Sequence, residues 1–182
     1  MVEAPTNGSP EALTGSSAVD WDQIVRENAR EMLRLAMRIV GSSADAEGLV
    51  QDAFLKAYQY QQREEVRNWG GLLHRFVVNG ALDHLRKQKP AVSLPETGLA
   101  GPAEDPARLA EVRELADHLR REVARLPRQQ FEVFCLSCLD GRSNHQVAEA
   151  LSIPEGAVAS ALHKARKRLT ASMARLLRRE KA

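Results

Sequence analysis

From Ser143 to Leu169 the chain reads SNHQVAEALSIPEGAVASALHKARKRL. Val147, Ala148 and Leu151 precede a short Ser-Ile-Pro break, and Ile153, Val158 and Leu162 follow it. This spacing suits two short helices that share apolar contacts across a tight turn. Ala148 is small enough to let them approach closely. Ser143 with Gln146 three residues later is a capping-box pattern, and Ser152 with Glu155 resembles another. A pair set at a steep angle projects its second helix, the outline of a helix-turn-helix that enters a DNA groove. Spacing alone equally describes a helical hairpin with no such role. The charge that follows favours DNA: over 164–181 stand Lys164, Arg166, Lys167, Arg168, Arg175, Arg178, Arg179 and Lys181 against Glu180 alone.

That asymmetry matters because the whole chain is nearly balanced, with 26 Lys and Arg against 24 Asp and Glu in 182 residues. Aromatics are 4% while Ala, Leu, Arg and Glu abound, which favours helices over a β-sandwich. No run approaches the roughly 20 apolar residues of a membrane span, and the start is not a secretory signal. The expectation is a cytoplasmic protein with no membrane insertion.

Residues 1–20 are rich in Gly, Pro, Ser and Thr, contain no Lys or Arg, and read as a disordered leader. A first domain follows over 21–89. Ile24, Met32, Leu35, Ala36, Ile39 and Val40 recur at helical spacing. Gly41 stops that helix, and Ser43 can cap a second over about 44–61 that buries Leu49, Ala53 and Phe54. A third, over about 69–89, draws core contacts from Leu72, Leu73, Phe76, Val77 and Leu85 before Pro90 ends it. Residues 90–106 hold Pro90, Pro95, Pro102 and Pro106 and read as a linker. The second domain, 107–182, has helices at about 107–125, 128–139, 143–151 and 155–179. The fold class expected is all-α: two small helical domains joined by a Pro/Gly-rich linker, the second containing the helix-turn-helix.

Two further stretches carry chemistry. In DAEGLVQDAFLKAY, Asp45, Glu47, Gln51 and Asp52 stand on exposed parts of a helix whose other side is apolar. Such a face suits a basic protein partner, or is simply solvated. In NGALDHLRKQK, Asn79, Asp83 and Arg86 fall along one stripe, with Arg86, Lys87 and Lys89 in the last turn. Asn and Arg can meet bases or phosphates, and Asp83 can orient Arg86. The plain alternative is a polar face with one ion pair.

The order of these parts resembles the sigma factors of bacterial RNA polymerase, specifically the small two-domain extracytoplasmic-function (ECF) type. The elements are the acidic-faced helix, the N…D..R helix, the Pro-rich linker, LP..Q.EVF and a helix-turn-helix ending LHKARKRL, together covering about 24–177. The resemblance implies that Asp45, Glu47, Leu49, Gln51 and Asp52 bind the clamp helices of the polymerase β′ subunit. It implies that Trp69, Asn79, Asp83, Arg86 and Lys87 bind the promoter minus-10 element, with 61–68 as the pocket for a flipped base. Glu155, Ser160, His163, Lys164, Arg166, Lys167 and Arg168 would read the minus-35 element. An anti-sigma factor is a further partner such a family implies. The chain departs from the family pattern at Gly48, where an acid is usual, and at Leu72 and Val78, where Trp and Arg are common. It departs again at Ala157, Ala159 and Ala161, where Thr, Lys and Arg are common. The alanines would permit close approach and contact with thymine methyls.

Cys135 and Cys138 are the only cysteines. They lie in an apolar helical run, FEVFCLSCL, which favours packing over a zinc site completed by His145 and His163. No nucleophile–base pairing or phosphate-binding glycine loop is present, so neither catalysis, a metal nor a cofactor is expected. Two rivals remain at this stage. One is a dimeric helix-turn-helix regulator that does not bind polymerase as a sigma factor; the other is an interaction protein that mimics a sigma factor without driving transcription.

Overall fold

Asp20 starts the first helix: its carboxylate accepts the Gln23 N–H at 3.0 Å, satisfying an otherwise orphaned donor. The computed structural model describes residues 19–87 and 106–179. The expected leader, apart from its last two residues, and nearly all of the expected linker lie outside them. Helix α1 spans Trp21–Val40 and buries Ile24, Met32, Leu35, Ala36, Ile39 and Val40, the stripe read from spacing. Gly41 closes it at φ +76°, a left-handed conformation that costs glycine little, and returns its N–H to Met37 O at 2.8 Å.

Ser42, not Ser43, caps α2 (Ser43–Gln61), accepting the Asp45 N–H. The core stripe of α2 is Ala46, Val50, Ala53 and Ala57. Leu49 and Phe54, expected inside, are only half-buried because four small residues let α2 lie close to its neighbours. Helix α3 (Trp69–Lys87) is held at its start by Asn68, whose Oδ1 accepts the Gly71 N–H at 2.8 Å. Leu72, Leu73 and Val77 are buried as expected, while Phe76 and Leu85 sit at the margin. Val78, Ala81, Leu82 and the fully enclosed His74 are buried beyond the expected set.

Across the gap come α4 (Pro106–Ala124), α5 (Arg128–Phe134), α6 (Asn144–Leu151) and α7 (Glu155–Arg179). The helix expected over 128–139 is not uniform: Cys135–Leu139 widens into a π-helical turn. Ser143 and Gln146 form the full capping box. Ser152 instead closes α6 in the left-handed conformation, φ 55°, and therefore does not cap α7 as its spacing to Glu155 suggests. All of the described secondary structure is helical.

The two halves pack on one another through α3. Its second face meets α6 where Gly71 lies so near that a Cβ there would come within 3.2 Å of the Ala150 Cα. One apolar core runs through both halves, from Leu35 and Leu73 to Phe131, Val147 and Val158.

Gly48 sits mid-helix on α2 with open space where a Cβ would project. Gly48→Ala is expected to stabilise the protein by about 0.5–1 kcal/mol, since a helical glycine costs that much in chain entropy. Urea unfolding of both proteins checks it.

Candidate nucleic-acid and protein interfaces

Because an α-helix turns once in about 3.6 residues, the core stripe of α2 leaves Gly48, Gln51, Asp52 and Leu55 on the opposite side. Gln51 and Asp52 are exposed, and Leu55 is 58% exposed although it is a large apolar side chain. Glu47 is also exposed and accepts from the Ser43 hydroxyl. The other two expected members turn toward α3. An Asp45 oxygen lies 3.4 Å from His84 Nε2, and Leu49 reaches Gly80 closely. Leu55 was missed by sequence reasoning; its signal is a leucine off the Ala46–Val50–Ala53–Ala57 stripe.

On α3, Trp69 packs edge-on against Trp21 at 5.1 Å, and Trp21 in turn meets Tyr58. This cluster ties the start of α3 to α1 and α2. Asp83 does not orient Arg86. The guanidinium runs instead to the end of α4, where Nε donates to Ala124 O at 3.2 Å and Nη2 to Leu126 O at 3.0 Å. Those carbonyls lack helical partners, and a cation there also complements the helix dipole. Asn79 Oδ1 accepts from Arg128 Nε at 3.0 Å. Lys87 and Asp83 are exposed. A cleft of about 430 Å³ opens beside them, lined by Lys56, Arg75, Asn79, Asp83, Arg128 and Glu132.

Helix α7 divides the third set. Its buried stripe is Val158, Ala161, Ala165 and Leu169. Ala161 therefore belongs to the core and offers nothing to a DNA groove, contrary to expectation. Ser160, His163 and Lys167 stand exposed on the far side, where Gly156 also lies. Glu155 and Lys164 are exposed at its flanks. Arg166 turns toward the π-helical turn, donating to Cys138 Sγ at 3.6 Å. Arg168 turns the other way, lining a groove with Arg125 and Arg175.

Between the halves lies a polar cluster that sequence reasoning missed entirely. His74 Nδ1 is 2.5 Å from Gly70 O, so that nitrogen carries a proton. His74 Nε2 faces Asp140 at 3.1 Å, Glu31 at 3.3 Å and Arg142 Nη2 at 2.6 Å. Arg142 also donates to Glu31 at 2.8 Å and to Asp140 at 2.7 Å. Burial tends to raise the Asp140 carboxyl, but the hydrogen bonds and charges of His74 and Arg142 outweigh it and hold its pKa below the ordinary value. Glu31, His74 and Asp140 are also close enough to share a metal ion. Arg142 already supplies a cation to all three, so the cluster is an ion-pair network. Burial pushes the Cys135 thiol up, with the negative charges of Cys138 and Glu132 adding to it, and it packs in the core. Exposed His145 pairs with Glu149, and no cysteine joins a metal-ligating cluster among the described residues.

An all-helical chain with a capped helix-turn-helix and a basic terminal helix belongs to the class of DNA-directed transcription proteins. Comparison narrows the class. Residues 24–91 match Sigma-70 region 2, and residues 117–169 match Sigma-70, region 4. The chain is 30% identical over 173 residues to the ECF RNA polymerase sigma factor SigE of Mycolicibacterium smegmatis, covering 92% of this chain and 67% of that one. It is 35% identical over 153 residues to SigM of Mycobacterium tuberculosis, covering 82% and 74%. Among solved structures, CnrH bound to the cytosolic domain of CnrY is similar at TM-score 0.55 and 22% identity, over 83% of this chain and 85% of that one. The sigma factor RpoE of Bartonella quintana, bound to the anti-sigma factor NepR, is similar at 0.54 and 20%, over 85% and 96%. The chain belongs to the ECF sigma factors, and it is a transcription initiation factor. The dimeric-regulator alternative is not favoured.

Because the folded pKa of Asp140 is depressed, its contribution to stability is present above the ordinary carboxylate value of about 3.9 and lost as pH falls through the folded value. Thermal melts stepped downward from pH 5 are expected to show this loss. Asp140→Asn should be less stable at neutral pH and show a shallower acid dependence.

Proposed function

We propose that the outward face of α2 is where core RNA polymerase is held, through its β′ clamp helices. The observation that carries this is the patch of Gln51, Asp52 and Leu55, polar and apolar side chains presented together with no partner in the fold needing them there. Glu47 extends the patch, and Asp45 and Leu49 support it by fixing α2 against α3. A carboxylate beside an exposed leucine suits a partner helix with a basic and an apolar side chain at matching positions. Gly48 lies within this patch and offers no charge, so it weakens the grip.

The minus-10 element is read by the edge of α3, with Asn79, Asp83, Arg86 and Lys87 as its polar groups and Trp69 shaping the start of the helix. Residues 61–68 receive a flipped base. The minus-35 element meets the outer side of α7, where Ser160 and His163 approach base edges and Lys167 and Lys164 approach phosphates. Glu155 accepts from a cytosine amino group at the helix start. Arg166 and Arg168 reach phosphates only from the flanks. A helix so sparsely equipped depends on polymerase tethering, which raises its effective concentration at the promoter.

The protein works in the cytoplasm, performs no chemistry of its own and needs no cofactor. No helix among the described residues is long and apolar enough to cross a membrane, which accords with this. An anti-sigma protein is a further partner, by analogy with the Bartonella quintana complex.

Binding to purified core polymerase tests the first assignment. Asp52→Ala is expected to weaken it about tenfold, roughly 1.4 kcal/mol, and Gly48→Asp to tighten it. Unchanged affinity in Asp52→Ala would remove the α2 patch from the interface. For α7, Lys167→Ala should lower promoter affinity of the holoenzyme and reduce its salt dependence by about one charge. Arg168→Ala should change the slope less, because its side chain faces the α4 groove.

A further inference from the structure

The edge of α3 proposed for the minus-10 strand is already in use. Arg86, the cation best placed to meet a phosphate, donates both of its bonds to carbonyls at the end of α4. Asn79 is engaged by Arg128, the first residue of α5, which also reaches Glu132 at 3.3 Å. A phosphate and the pair of carbonyls would compete for the same guanidinium. The corner between α4 and α5 therefore sits where a nucleic-acid strand would run.

This corner is held down by more than those bonds. Arg142, just after the π-helical turn, joins Glu31 of α1 at 2.8 Å and His74 of α3. Arg38 of α1 donates to Leu139 O. Gly71 lets α6 approach α3 at backbone distance. The seam combines apolar packing, a shared ion-pair network and an Arg86 cap on α4. Each needs the two halves in this one arrangement.

We infer that the protein in isolation closes on itself, with its own α4–α5 corner occupying the minus-10 edge of α3, and that strand binding requires the seam to part. This rests on the reading of α3 given under the proposed function. Closure lowers apparent affinity in proportion to the open fraction: if about a tenth of the molecules are open, parting the seam raises strand affinity about tenfold.

The test uses the full chain and two seam variants outside every proposed binding set. Arg142→Glu places a carboxylate against Glu31 and Asp140, and the milder Arg128→Ala releases Asn79. Circular dichroism establishes that helix content is retained. Small-angle scattering reads the separation of the halves, and fluorescence anisotropy with a mixed-sequence single-stranded DNA 12-mer reads the α3 edge. The expected result is a larger radius of gyration in Arg142→Glu with affinity about tenfold higher, and a smaller gain in Arg128→Ala. That gain would run against the two positive charges lost in Arg142→Glu, which on electrostatics alone weaken DNA binding. Adding Arg86→Ala to the open variant should cancel most of it.

A radius unchanged in both variants overturns the inference. So does a larger radius with no tighter binding, provided that Arg86→Ala weakens the parent protein; in that case α3 is the strand site but is not covered. If Arg86→Ala and Lys87→Ala leave binding unchanged in open and closed proteins alike, the reading of α3 fails and the inference falls with it.

Discussion

His74 contributes no exposed surface at all and cannot be left without polar partners. Glu31 comes from α1 and Gly70 from its own helix, but Asp140 and Arg142 come from the other half of the chain. Meeting the needs of one imidazole therefore fixes where the second half docks. Helix α3 lies at the centre of this arrangement, packing against α1 and α2 on one side and against α4, α5 and α6 on the other. Its apolar residues are too many for a single stripe: Leu72, Leu73, Val77, Val78, Ala81 and Leu82 are all buried.

Val78 shows how this bears on function. Where related sigma factors commonly carry Arg, this chain has a fully buried valine. Leu72, where the family often has Trp, is buried as well. At both positions the side chain contributes to packing and offers no polar contact. The polar groups left on α3 are consequently few, and two of them, Asn79 and Arg86, are bonded to the second half.

Local patterns in the sequence predicted local structure well. The α1 stripe, Gly41 as a stop and the Ser143–Gln146 capping box depend on neighbours a few residues apart, and each takes the expected form. Errors arise where a distant contact decides the outcome. Spacing suggested that Asp83 orients Arg86, but unpaired carbonyls of α4, some forty residues on in sequence, attract the guanidinium more strongly. Ala161 looked like part of a recognition surface until the packing of α7 turned it inward. The helical periodicity identifies a buried face only when the partner's direction is known. His74, Glu31, Asp140 and Arg142 stand far apart in sequence, and no spacing rule connects them. Of the minus-35 candidates, Ser160, His163 and Lys167 share one exposed side, whereas Arg166 and Arg168 separate to opposite flanks.

The wide turn at Cys135–Leu139 bears on the chain's tolerance of changes in length. A π-helical turn accommodates one residue more than an α-turn. Losing a single residue there would restore ordinary helical pitch and rotate everything beyond it by about 100° relative to α5. Asp140 and Arg142 would then point away from His74. The surplus residue acts as a phase setting between the part of the second half that follows the turn and the first half. Within this short stretch, descent can exchange side chains of similar volume far more readily than it can add or remove a residue.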